Sequence, residues 1–154
     1  MRETHNKTNV TCVTLSKEKF DRPDLKDFTY LNHVSTIVNE VDFKKSHLDA
    51  LRKVNTKFVF FCDHDDPLPE TIVLPVVNMV FGDFHYFENH QSKVIKSKPW
   101  NFDDHLLFHG LIHKPVLNTE NAISVIELMP DEDLHFHFAF YFLLSFIHSS
   151  EYHS

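Results

Sequence analysis

Glycine is nearly absent from this chain, with 2 in 154 residues. Neither a G-x-G-x-x-G nor a G-x-x-x-x-G-K-[ST] motif occurs, which argues against a glycine-rich phosphate loop. Cysteine is almost as scarce. The two present, Cys12 and Cys62, both fall in expected strands. They read as buried free thiols of a reducing compartment, since two such residues make no disulfide framework. A long apolar run is missing too. The longest, residues 138–147, is interrupted by Ser145 and is far short of the roughly 20 residues a bilayer span requires. Residues 1–9 are polar and contain no signal core. A soluble cytoplasmic protein is expected. Positive charge is also in short supply: 15 Lys and Arg against 22 Asp and Glu leave a net charge of −7. That balance disfavours tight, sequence-independent binding to nucleic acid, which depends on neutralising phosphates. The 13 histidines add positive charge only below about pH 6.5.

Against these absences stand 42% hydrophobic residues and 16 phenylalanines, enough for one domain with a real core. The most informative stretch is Phe58-Val59-Phe60-Phe61-Cys62-Asp63-His64-Asp65-Asp66-Pro67-Leu68-Pro69. Its aromatic and β-branched start has no helical period and reads as a buried strand. The D-x-D-D acids must then emerge at the strand's C-terminal end, where open α/β sheets bind ligands. Carboxylates so crowded repel one another unless a cation lies between them. Hard oxygen ligands suit Mg²⁺ or Mn²⁺, which also hold diphosphates. Turn chemistry alone also places Asp and Pro after strands.

Along the rest of the chain, strands are expected at 10–15, 34–38 and 57–62, with a short helix at 22–30 between the first two. Asp42 is placed to cap a helix over 43–54, whose apolar positions Phe43, Leu48, Leu51 and Val54 share a face. Pro69 suits the first turn of a helix over 70–79, which Pro75 kinks or breaks. Residues 80–87 alternate and pair with 92–97 across the turn Glu88-Asn89-His90-Gln91. The stretch 106–113 is ambiguous between strand and helix, 122–128 reads as a strand, and 131–148 as a helix with acids in its first turn. The β-α-β-α-β order of the first half implies a mostly parallel sheet flanked by helices. The chain divides into a flexible N-terminus (1–9), one compact α/β domain (10–148) and a C-terminal tail (149–154).

The order of these elements leading into F-V-F-F-C-D-H-D-D-P-L-P resembles the nucleotide-sugar half of a GT-A glycosyltransferase, and is most similar to the family-two inverting enzymes. Three further segments agree in order: Val80-Phe81-Gly82-Asp83-Phe84-His85-Tyr86 resembles that family's V-x-G-D-x-x-Y strand, His109-Gly110-Leu111-Ile112 its acceptor-side segment, and Asp131-Glu132-Asp133-Leu134 its E-D-x motif. The resemblance implies a GT-A-like (Rossmann-like) fold and transfer of a sugar, with inversion, from a nucleotide-sugar donor to an acceptor hydroxyl. It implies that Asp63 and Asp65 bind the donor ribose and a Mn²⁺ or Mg²⁺ ion with Asp66 assisting, and that Asn39 and Glu40 lie near the base. Asp133 would be the catalytic base, with Glu132 beside it. Lys44-Lys45-Ser46 stands where the family often has Arg-Asn near the diphosphate. The first loop, Ser16-Lys17-Glu18-Lys19, lacks the familiar glycine turn, and no Q-x-x-R-W motif of processive synthases occurs.

The chemistry accounts for two separated acidic sites: a metal to neutralise the leaving diphosphate, and a carboxylate on the opposite face to take the acceptor proton. Two other readings share these residues, a non-catalytic module of the same fold and a metal-dependent phosphohydrolase or nuclease working through the D-x-D-D rim. The acceptor is open among a glycan, a protein, a small molecule and a modified nucleobase, and a homo-oligomer is compatible with the sequence. The Asn-, Lys-, Phe- and His-rich composition resembles that of proteins from bacteriophages or AT-rich bacterial genomes.

Other constellations have plainer explanations. His135 and His137 would point to different faces of a helix, and His109 and His113 lack completing ligands for zinc. The Phe-rich segment 136–146 suits a buried helix. Trp100 serves equally as an acceptor platform or a surface anchor, and Lys93, Lys96 and Lys98 as a solvated hairpin face.

Overall fold

The computed structural model describes residues 9–28, 31–39, 42–69, 72–76, 78–89, 91–108, 112–131 and 136–153. Strand β1 (Val10–Ser16) leads through a short 3₁₀ helix (Pro23–Asp27) to β2 (Asn32–Ile37), helix α1 (Phe43–Arg52) and β3 (Phe58–Asp63). There follow β4 (Met79–Gly82), a hairpin of β5 (Phe84–Glu88) and β6 (Gln91–Ile95), and α2 (Phe102–Phe108). The chain closes with β7 (Val116–Asn118), α3 (Thr119–Leu128), α4 (Phe136–Ile147) and β8 (Glu151–His153).

Six strands form one sheet in the order β2-β1-β3-β7-β4-β8, and β5 and β6 form a separate two-stranded ribbon. β1 pairs in parallel with β2 and with β3, and β4 pairs in parallel with β8. Only β7 runs against its neighbours β3 and β4. The protein is thus α/β with a mostly parallel mixed sheet, as the β-α-β-α-β pattern implies.

Side-chain alternation with period two divides the core. Val13, Leu15, Val59, Phe61, Phe81 and Leu117 face α1, α3 and α4. Val10, Cys12, Phe58, Phe60, Cys62 and Val80 face the other way, against Leu31, Leu68, Ile72 and Leu74. Both cysteines are free and buried.

Several expected elements differ. No helix follows Pro69: the described residues among 70–79 are non-helical up to Met79, where β4 begins. Two prolines deny the segment helical backbone bonds, and its apolar side chains Ile72 and Leu74 cover the second sheet face instead. The expected strand over 122–128 is helix α3. Its buried residues Thr119, Ala122, Val125 and Ile126 follow helical spacing, and the Asn118 side chain accepts from the Asn121 backbone N–H at its start. The short helix expected over 22–30 is the 3₁₀ turn, and α1 ends at Arg52. Asp42 does stand before α1, but its side chain makes no capping bond.

The strand expected over 80–87 is split at Asp83, which leaves β4 in the main sheet and β5 in the hairpin. The Asp83 carboxylate accepts from Tyr152 Oη (2.7 Å), the Ser97 backbone N–H (2.8 Å) and Lys96 Nζ (2.9 Å). These bonds stabilise the charged carboxylate and hold its pKa down at about 2. They tie the hairpin to β8, a strand that lies within the segment read as a tail. α2 resolves the ambiguous region in favour of helix up to Phe108, and α4 occupies the expected late helix from Phe136 but carries no acid in its first turn.

Candidate functional site

The chain moves from β1 to β2 on one side, then crosses back to β3 on the other side of β1. The C-terminal ends of β1 and β3 therefore bound a switch-point crevice, the place where open α/β sheets bind ligands. Asp63 is the last residue of β3 and stands in register with Leu15 at the end of β1. It follows Phe61 by two positions, so its carboxyl lies on the face covered by α4. It lines a cavity of about 240 Å³ with Leu15, Phe61, His113, Lys114, His137 and Tyr141.

The turn that follows brings the acids together. The Asp66 backbone N–H donates to the Asp63 carbonyl (3.1 Å), and His64 continues the ladder to the Leu15 carbonyl (2.9 Å). Carboxylate oxygens of Asp63, Asp65 and Asp66 all lie within 4.8 Å of one another. The set contains oxygen donors only, which fits a hard divalent cation such as Mg²⁺ or Mn²⁺. The Asp63 acidity is weakened by partial burial first and by the Asp66 and Asp65 carboxylates next, with Lys114 opposing.

Two cations hold this turn, and neither is evident from local sequence. Arg22, with a side chain 4% exposed, donates from Nη1 to the Asp63 carbonyl at 2.8 Å and from Nη2 to the Asp66 carbonyl. Its other contacts are bonds to both Asp24 oxygens (3.1 and 3.2 Å) and to Cys62 Sγ (3.8 Å). Lys114 reaches Asp66 Oδ2 at 2.5 Å. Its backbone is left-handed, φ 43°, a conformation uncommon for a residue with a side chain. An Arg before a Pro-Asp turn and a lone Lys ahead of a strand carry no motif; only the 44 and 48 residues of separation closed by the fold reveal them.

The cavity wall is rich in imidazoles, from His105, His113 and His137. His105 Nδ1 accepts from Trp100 Nε1 (3.0 Å), so its Nε2–H donates to the Phe138 carbonyl (3.0 Å). Trp100 is thereby an anchor for α2, packed edge-on against Phe142. His113 stacks on Phe84 with ring centroids 4.4 Å apart, and burial with the nearby Lys114 lowers its basicity. His47 and His137 lie 5.3 Å apart. Burial pushes their basicities down to about 3 and about 4. The Nε2 atoms of both are buried without a hydrogen-bond partner among the described residues.

Of the other residues proposed from sequence, Asn39 is at the exposed end of β2, where its N–H donates to Ser46 Oγ (3.1 Å). Lys44 Nζ donates to the carbonyls of Met129 (2.6 Å) and Glu127 (3.2 Å), tying α1 to the end of α3. Lys45 pairs with Asp49 one turn along the exposed face of α1. These bonds direct both lysines away from the acid cluster. Glu40, Glu132, Asp133, His109 and His135 lie outside the described residues. Among the described residues no helix is long and apolar enough to cross a membrane. No family model, curated protein or solved structure matches the chain.

Proposed function

We propose that this protein is a metal-dependent inverting glycosyltransferase that moves a sugar from a nucleotide-sugar donor to an acceptor hydroxyl. The observation that carries the reading is the convergence of the Asp63, Asp65 and Asp66 carboxylates at the β1–β3 switch point. Oxygen donors there suit Mg²⁺ or Mn²⁺, and such an ion neutralises a leaving diphosphate. Asp63 and Asp65 hold the ion and donor in this reading, with Asp66 beside them. Asp133, with Glu132, takes the acceptor proton.

The test is a thermal-shift screen of UDP-, GDP-, CMP- and dTDP-sugars with and without Mn²⁺, because a ligand that binds only the folded state raises its stability. Mn²⁺-dependent stabilisation by one nucleotide class, lost in Asp63→Asn and Asp65→Asn, is the expected result. Asp133→Asn should keep donor binding and lose transfer. Absence of stabilisation by every nucleotide sugar would reject the donor site. Phosphate release without an acceptor would point to a phosphohydrolase on the same carboxylates.

A further inference from the structure

We infer that Lys114 is the resident counter-ion of the acid cluster, and that it gives up Asp66 to a divalent cation and turns to the anionic part of the ligand. The inference rests on the reading of the rim as a cation-dependent donor site, and it adds a residue that no motif marks. The ammonium lies 2.5 Å from Asp66 Oδ2 in a half-exposed pair, 29% and 38% exposed. It neutralises one of the three carboxylates whose oxygens converge within 4.8 Å. A divalent cation among those carboxylates would repel the ammonium beside Asp66, and that repulsion drives the lysine off.

The lysine has somewhere to go. Lys114 borders the 240 Å³ cavity beside Asp63 and also a larger groove, about 840 Å³, on the Asp66 side. Its flexible stem carries a compact charge suited to a phosphate oxygen. Its left-handed backbone stores strain of order 1 kcal/mol, and such strain clusters at ligand sites. The neighbouring His113 ring, stacked on Phe84, anchors the segment while the side chain swings. His137 also lines the smaller cavity, on the wall formed by α4.

The experiment uses the full chain as wild type, Lys114→Met and Lys114→Asn; asparagine tolerates the left-handed backbone and guards against a folding defect in the first variant. Mn²⁺ is titrated alone, and then UDP and GDP are titrated at saturating Mn²⁺. Both variants should bind Mn²⁺ alone about tenfold more tightly, and should bind the nucleoside diphosphate of the preferred class about tenfold more weakly. These opposite signs are what a merely structural lysine would not produce. Wild type that binds Mn²⁺ and nucleotide, with neither affinity altered in the two variants, overturns the exchange and leaves the donor-site reading standing. Wild type that takes up no Mn²⁺ overturns both.

Discussion

Arg22 Nη1 lies 2.8 Å from the carbonyl oxygen of Asp63, a residue 41 positions away at the end of the central strand. The same guanidinium also reaches the Asp66 carbonyl and both oxygens of Asp24. One side chain thus fixes both ends of the turn that carries the acids. It does so through backbone oxygens, which leaves the carboxylates themselves available.

Replacing that fork should loosen the turn without removing any acid. Arg22→Lys keeps the charge but not the planar, multi-donor geometry. The expected cost is about 3 kcal/mol, the scale for losing charge-assisted bonds at a buried site, read from urea denaturation. Mn²⁺ affinity should fall in the same variant although Arg22 touches no carboxylate of the cluster. Unchanged affinity in a folded Arg22→Lys protein would show that the turn holds its shape unaided.

Acidification should act through the buried histidine pair. His47 and His137 have folded-state values of about 3 and about 4, against an ordinary 6.5. Each is neutral when folded and takes up a proton when the chain unfolds, so stability is complete above about pH 6.5 and declines as pH falls toward the folded values. The decline is on the order of 2 kcal/mol per histidine by about pH 5. His47→Leu should flatten the difference between urea melts at pH 7.5 and about pH 5. An equally steep difference in that variant would place the acid sensitivity elsewhere.

Helix capping separates two residues of similar appearance in sequence. Asn118→Ala should cost about 1 kcal/mol, because its side chain accepts from the Asn121 N–H at the start of α3. Asp42→Ala at the start of α1 should cost much less, since no side-chain cap bond is made there. Chemical melts of the two variants compare them directly, and equal losses would contradict the assignment.

Gly82→Ala should detach β8. A Cβ on Gly82 would press on the His153 carbonyl oxygen, well inside van der Waals contact, and that oxygen belongs to backbone paired with β4. The cost should fall in the 1–3 kcal/mol range typical of overpacking. Faster amide exchange should be confined to residues 151–153 and their partners in β4. Wild-type exchange there would mean that β8 contributes nothing to the sheet.

Local pattern was enough to identify the parallel β1–β2–β3 core, α1, the β5–β6 turn and the position of the acids. Period-two runs such as Val59 and Phe61 on one face and Phe60 and Cys62 on the other have one compatible strand geometry, and an acid after such a run must stand at the strand's end. The helical spacing of Thr119, Ala122, Val125 and Ile126 with Asn118 as cap was also present in the sequence. The β-branched residues Ile123, Val125 and Ile126 masked it, because β propensity is a weak guide once burial decides. Other features had no local signal. The antiparallel insertion of β7 between β3 and β4, the pairing of β8, and the arrival of Arg22 and Lys114 at one turn all depend on contacts between residues far apart in the chain. Such contacts form only when the whole sheet closes, so tertiary structure alone chose the cations that surround the acid cluster.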